Sequence, residues 1–240
     1  MLPALVLLAI WIILGIPVAI VTIPWTLVSG KVAFLYRAAL TVTRIGLRCA
    51  GIRVEAVWHT PYDPAHPAIF LSNHISNLDP PVLLTRIPVR VSVFIKRSLL
   101  GIPVLGYGMR LARFIPVDRD GRVESATASV EAAAQVLASG LPIVSFVEGT
   151  RSRDGRLQEF KKGPFYLAME TGAPIIPVSI HGTESMMKKG SLQIIPGTAR
   201  ITFHAPIHPK DFATREDLSA AVREAIASAL PEWMRSDPSE

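Results

Sequence analysis

Leu71-Ser72-Asn73-His74-Ile75-Ser76-Asn77-Leu78-Asp79-Pro80-Pro81 is the stretch whose reading decides the fold. The apolar run leading into it, Ala68-Ile69-Phe70-Leu71, predicts a short buried strand. Ser72-Asn73-His74 suits a strand-to-helix turn. Asp79-Pro80 then predicts a helix start, with Asp at the N-cap and Pro at the first helical position. A histidine therefore stands at the mouth of a sheet, with a carboxylate following in the same turn. On one regular helix the His74-to-Asp79 spacing would separate the two by about 140°. They meet only if the segment bends, and two asparagines, a serine and two prolines favour a bend. Once together, the carboxylate accepts a hydrogen bond from one ring nitrogen and leaves the other as a base near neutral pH. This is a Ser-His-Asp triad without its serine, so the attacking hydroxyl comes from a substrate. Taken alone, the pattern is more often a helix cap beside a turn histidine, and its functional reading depends on what lies downstream.

Working outward, the chain alternates strands and helices. Strands are predicted over Arg53 to Trp58, Ala68 to Leu71, Val89 to Ile95, Ala112 to Val117, Ile143 to Val147 and Ile175 to Ile180. Leu192 to Ile195 and Ala199 to Phe203 are expected to pair around Pro196-Gly197. Helices are predicted over Pro80 to Thr85, Glu124 to Ser139 ended by Gly140, Pro164 to Thr171 closed by Gly172, and Thr214 to Leu230. This mixture predicts one α/β domain, residues 51–240, with a central, mostly parallel sheet flanked by helices.

Residues 1–50 differ. No charged side chain precedes Lys31, and a straight helix of that stretch would be roughly 45 Å long, more than a bilayer's hydrocarbon core of about 30 Å requires. Pro17 and Pro24 argue against a straight helix. The expectation is a membrane anchor, either one tilted or kinked span or a helical hairpin dipping into one leaflet. From Lys31 to Ala50, Arg37, Arg44 and Arg48 form a basic stripe on an apolar helix, as interfacial helices do. A basic flank after the anchor places the following domain on the cytoplasmic side of the cell membrane.

Composition agrees with a membrane surface. Half of the residues are hydrophobic and 18% charged, with a formal net charge of +6. The pI is about 9.8 and the mean hydropathy +0.37. Basic and apolar together point to anionic membranes or phosphorylated substrates. The chain lacks the basic-aromatic stripe of single-strand nucleic-acid binders, and no nucleic-acid partner is expected. The single cysteine, Cys49, excludes an intramolecular disulfide and reads as a small core or interface residue. No Cys/His cluster has zinc spacing, so neither a metal nor another cofactor is expected.

Other strand ends deliver cations. Phe146-Val147-Glu148-Gly149-Thr150-Arg151-Ser152 ends a strand in a glycine that lets backbone amides approach a ligand, and an arginine able to hold phosphate bidentately. Phe114-Ile115-Pro116-Val117-Asp118-Arg119 places Arg119 just past a strand, where open α/β sheets gather ligands. Lys96-Arg97 ends a third strand. Phe160-Lys161-Lys162-Gly163-Pro164 opens a helix whose N-terminus favours anions.

In order and spacing, Asn73-His74 with Asp79, Phe114 to Arg119, Phe146 to Ser152 and Ile176-Pro177-Val178 resemble the four motif blocks of the glycerolipid acyltransferases. The chain is most similar to the 1-acylglycerol-3-phosphate acyltransferase branch. The resemblance implies that His74 is the catalytic base and Asp79 its partner. It associates Arg119, Glu148, Gly149, Thr150 and Arg151 with the glycerol phosphate; Asn73, Lys96 and Lys162 are additional candidates. Backbone amides near Gly149 are candidate oxyanion donors. The implied reaction moves an acyl chain from acyl-coenzyme A or acyl carrier protein, as co-substrate, to lysophosphatidate. Where the family usually has proline, Val147 stands between Phe146 and Glu148, and a less rigid loop is expected. The alternatives are an acyltransferase acting on another lysolipid, a non-catalytic, membrane-anchored binder of anionic lipid, and a metal-dependent hydrolase.

Overall fold

The computed structural model describes residues 2–118, 123–187, 191 and 193–235. Its centre is β2 (Ile69–Ser72), a strand buried on both faces. Phe70 points into one apolar cluster, and Ile69 and Leu71 into another on the opposite face. This is why the sequence shows a continuous apolar run rather than an alternation. Around it lie β1 (Ile52–Trp58), β3 (Ser92–Lys96), β4 (Ile115–Val117), β5 (Ile143–Phe146), β6 (Ile175–His181) and β7 (Gly197–Phe203), in the order β1-β7-β6-β2-β5-β3-β4. Every ladder is parallel except β6 with β7. The sheet is the mostly parallel one expected.

Helices cover both faces. The connection from β2 to β3 carries α4 (Asp79–Leu84), packed into the cluster with Phe70. Those from β4 to β5 and from β5 to β6 carry α6 (Val123–Ala138) and α7 (Gly163–Thr171), packed on the other face. There α9 (Arg215–Ser228) buries Leu218, Val222 and Ile226, the stripe of spacing four. Crossovers from neighbouring β2 and β5 thus diverge to opposite faces, opening a crevice above their carboxyl ends.

Several expected elements are corrected. β3 begins at Ser92 rather than Val89. Ala112 ends α5 (Leu105–Leu111), Arg113 has φ +63°, and only Ile115–Val117 is strand. No local hairpin forms around Pro196-Gly197: β7 starts at Gly197, pairs antiparallel with β6 and is parallel to the edge strand β1, while Leu192 lies outside the described residues. Asp79 falls in the first turn of α4, with Leu78 at the N-cap. Cys49 is exposed.

The N-terminal segment is one helix, Leu2–Ser29. It consists of α1 (Leu2–Ile10), a π turn at Trp11–Gly15 and α2 (Ile16–Ser29). The wide turn sits just ahead of Pro17, where the ladder must absorb the ring and the missing N–H. The prolines do not reverse the chain. Gly30, with φ +68°, does so, and α3 (Val32–Cys49) returns alongside. At Gly46 the helices nearly touch, since a Cβ there would lie 2.8 Å from Leu7 Cδ1. Tyr36 and Leu47 of α3 belong to the buried cluster beneath the sheet. The outer side of Leu2–Ser29, including Leu5, Leu8, Ile12, Ile20, Trp25 and Val28, is exposed. Among the described residues this is the one helix long and apolar enough to cross a membrane.

Gly182, between β6 and α8 (Thr183–Met186), has φ +91°, and a Cβ there would meet Thr198 O at 2.3 Å. Left-handed strain alone costs about 1–2 kcal/mol. Gly182→Ala is expected to lower Tm by roughly 2–8 °C for a chain of this size; an unchanged melting curve in detergent would contradict this packing of β6 against β7.

Candidate active site

The turn after β2 is held from several sides. The Asn73 side chain forms a pair with the backbone of β6, its Nδ2 donating to Ile180 O and its Oδ1 accepting from Ile180 N, both at 2.8 Å. Asn73 is thereby a buried brace rather than a ligand-binding group. Ile75 and Ser76 donate their backbone N–H groups to Asp79 Oδ2, each at 2.7 Å, supplying the bend that the spacing required. His74 Nδ1 donates to the same oxygen at 2.8 Å. The other oxygen, Oδ1, accepts from Thr183 Oγ1 at 2.6 Å. Asp79 is fully buried, and the His74 side chain is 12% exposed. A carboxylate with only donors around it fixes Nδ1 as the protonated ring nitrogen. Nε2 has no protein partner among the described residues. The imidazole stacks on Phe146, ring centroids 4.1 Å apart.

The end of β5 is stitched to this turn. Val147 N donates to Ser72 O at 2.9 Å and Ser152 N donates to His74 O at 2.8 Å. Proline at position 147 would lack the first of these donors. Val147 extends the β2–β5 ladder, so the loop is tied where a less rigid one was expected. Glu148 is buried; its Oε1 accepts from His74 N at 3.3 Å and its Oε2 from Gln158 Nε2 at 2.9 Å. Burial pushes its carboxyl up to about 7, against the lowering effect of the His74 N–H and Gln158 bonds. Glu148 therefore supports the backbone of His74. Gly149 has φ +71° and its N–H is taken by Phe146 O, which removes it as an oxyanion donor. A Cβ at Gly149 would lie 3.1 Å from Lys161 Cγ. Lys161, not the predicted Lys162, thus lies against the Glu148–Arg151 turn. Thr150 is exposed and Arg151 half-buried on that turn.

The remaining candidates divide. Lys96 is exposed at the end of β3, on the same edge of the sheet. Its neighbour Arg97 donates through Nε to both oxygens of Asp118, at 2.7 and 2.8 Å, and this holds the Asp118 carboxyl below the usual range. Arg119 lies outside the described residues. Lys162 lines a separate recess of about 340 Å³ with Phe160, Phe165, Arg215 and Arg223, between α7 and α9. Sequence reasoning missed Thr183, Gln158, Lys161 and Phe146 as parts of the site. For Thr183 a signal existed, since it follows the carboxyl end of a predicted central strand.

Comparison with known proteins decides the family. A family model described as Acyltransferase matches residues 53–181, more than half of the chain. The chain belongs to the Acyltransferase family. It is similar to a 1-acyl-sn-glycerol-3-phosphate acyltransferase of Limnanthes douglasii, 29% identical over 216 residues, which cover 89% of this chain and 75% of that protein. To the human 1-acyl-sn-glycerol-3-phosphate acyltransferase alpha it is 29% identical over 71% of this chain and 60% of that one. A chloroplastic relative from Arabidopsis thaliana is 35% identical over 65% of this chain, spanning 44% of its own length. The crystal structure of PlsC, the 1-acyl-sn-glycerophosphate acyltransferase of Thermotoga maritima, superposes with a TM-score of 0.77 and 25% identity over 92% of both chains.

Glu148 provides a test of the local electrostatics. Its folded-state value, about 7, stands above the unfolded one, so its contribution to stability is complete below about pH 4.5 and is lost as pH rises through about 7. Glu148→Gln is expected to flatten the stability profile across that window. Parallel profiles for variant and parent, measured by denaturant titration at several pH values, would show that Glu148 is not the titrating group.

Proposed function

We propose that the chain is a 1-acylglycerol-3-phosphate O-acyltransferase using His74 as its base. The observation that carries the reading is the 2.8 Å contact of His74 Nδ1 with the buried Asp79 carboxylate, at the carboxyl end of β2 and laced to the Glu148–Arg151 turn. Among the described residues no serine hydroxyl bonds the His74 ring, those of Ser72, Ser76 and Ser152 being directed to Asn73 O, Met187 O and Asp154, and a positioned base so arranged suits activation of a substrate hydroxyl. The relatives' names supply the acceptor.

The free hydroxyl of a lysophosphatidate lies against Nε2 and attacks the carbonyl carbon of an acyl thioester. Its proton passes to Nε2 as the C–O bond forms, and Asp79 stabilises the imidazolium. Collapse of the tetrahedral adduct breaks the C–S bond. The departing thiolate takes the proton back from Nε2, giving phosphatidate and a free thiol carrier, coenzyme A or acyl carrier protein. Proton transfer of this kind contributes typically ~10²–10⁴-fold, and holding both substrates in register lowers the barrier by roughly 7–11 kcal/mol. Arg151 and Arg119 take the acceptor's phosphate as a handle, Lys96 and Lys161 stand at the same edge, and no metal takes part.

The chain is membrane-associated, and both substrates carry acyl tails. Exposed Ile102, Val104, Leu105 and Tyr107 follow β3 at the end of the sheet where His74 lies. Leu2–Ser29 acts as the anchor embedded in the bilayer, α3 joins it to the domain, and the catalytic domain lies on the cytoplasmic face.

His74→Ala should lower turnover by about 10²-fold or more, and should also lower Tm because it removes one of the four donors to Asp79; near-normal turnover in the folded variant would refute the base. Arg151→Ala should raise the acceptor's KM far more than it lowers kcat. If the intact enzyme acylates a neutral lysolipid as well as lysophosphatidate, the phosphate handle is wrong.

A further inference from the structure

A second concentration of positive charge lies away from His74. Arg44 and Arg48, one turn apart on α3, face Arg53 of β1 and Arg86 just beyond α4 across a cavity of about 520 Å³. Its other lining residues are apolar or neutral, and no carboxylate lines it. Among the described residues none of the four guanidinium groups forms an ion pair. Two are anchored by backbone oxygens instead: Arg86 donates to Val54 O, and Arg44 to Thr85 O at 3.5 Å. Burial, then the nearby charges of Arg44 and Arg48, push the Arg86 guanidinium below its ordinary value. The protein thus gathers four cations around an open volume without supplying a counter-charge. Such an arrangement is unfavourable until an anion enters.

The position of the cavity narrows the choice of anion. β1 is in register with β7, and β7 with β6, so that Glu55 is level with Arg200 and His181. Because β2 is parallel to β6 with Ser72 level with Val178, His181 is level with the residues just after His74. Arg53 therefore stands at the same end of the sheet as His74, three strands across, roughly 14 Å at about 4.8 Å per strand. Arg44 and Arg48 belong to the helix that packs directly on the exposed apolar Leu2–Ser29. Guanidinium groups bind phosphate oxygens bidentately.

We propose that Arg44, Arg48, Arg53 and Arg86 form a binding site for the phosphate headgroup of an anionic phospholipid in the supporting bilayer, separate from the acceptor's own phosphate site. The site holds the domain with the mouth of the His74 crevice against the lipid surface. It is independent of which acceptor is acylated, and its test does not read activity.

The probe is full-length protein, purified in detergent and mixed with vesicles of phosphatidylcholine alone or of phosphatidylcholine with phosphatidylglycerol. Arg48→Gln combined with Arg53→Gln should leave melting and binding to neutral vesicles unchanged, because both side chains are exposed and neither is engaged by the protein. The tighter binding that phosphatidylglycerol confers on the parent should fall by roughly tenfold or more, as loss of two arginines at an anionic surface implies. A charge-matched pair outside the cavity, Arg37→Gln with Arg110→Gln, should lose less than half as much, and equal losses would reduce the cavity to general surface attraction. Coenzyme A and inorganic phosphate serve as soluble competitors. If either displaces the parent from phosphatidylglycerol vesicles at the concentration at which it binds the cavity variant less well than the parent, the site belongs to a soluble phosphate and the lipid proposal is overturned.

Discussion

The Asp79 carboxylate is the constraint on which the rest of the site depends. Burying an isolated carboxylate costs several kcal/mol or more, and only a full set of hydrogen bonds makes it tolerable. Here four donors surround it: two backbone amides, one imidazole and one hydroxyl. The amides belong to the turn between the histidine and the aspartate, so the charge itself enforces the bend that brings the two together. The hydroxyl belongs to Thr183, beyond the end of β6. A local turn is thus locked to a strand more than a hundred residues away in sequence, and Asn73 doubles the lock through Ile180. The imidazole is oriented by the least movable parts of the fold.

Support for His74 on its other side comes through its backbone. Glu148 accepts from the His74 amide, Ser152 donates to the His74 carbonyl, and Phe146 lies under the ring. The turn carrying Arg151 is therefore joined to the turn carrying His74, so displacements of the two are linked. Val147 strengthens the join, since its amide continues the ladder where an imino nitrogen could not. Rigidity at this loop comes from hydrogen bonding rather than ring constraint.

Much of this was legible in the sequence, for identifiable reasons. Strands buried on both faces announce themselves as uninterrupted apolar runs, and β2, β5 and β6 were placed to within a residue or so. The dyad was legible because a bend between His74 and Asp79 could be argued from turn-forming residues. What failed was what depends on distant partners. The segment around Pro196-Gly197 carries a good local turn signal, yet β7 finds its partners in β1 and β6, and no local pattern encodes a strand inserted parallel to the first one. Lys161 and Lys162 are indistinguishable in sequence; which one lies against Gly149 is settled only by the direction in which the chain enters α7. The support that Glu148 gives the His74 backbone was not legible, because a carboxylate next to glycine and arginine looks like a ligand-facing group until its burial is known.

The N-terminal fifty residues and the domain meet through α3, and this contact has a mechanical consequence. One side of α3 shares the buried cluster under the sheet, and another packs on the apolar helix. A helix held on both sides cannot swing, so the depth of Leu2–Ser29 in a bilayer sets the height of the domain above it. Exposed Ile102, Val104, Leu105 and Tyr107 and the end of β2 both lie where the parallel strands point their carboxyl ends. With the anchor rigidly joined, that end of the sheet keeps one distance from the lipid surface. A lysolipid acceptor need then rise only far enough to present its hydroxyl, with its tail remaining in the leaflet, whereas a soluble enzyme would have to extract the whole molecule and expose its acyl chain to water at about 0.8 kcal/mol per CH₂ group. In the proposed reaction the stiffness of the join is thus part of the chemistry: it removes a desolvation barrier that no arrangement of His74 and Asp79 alone could lower.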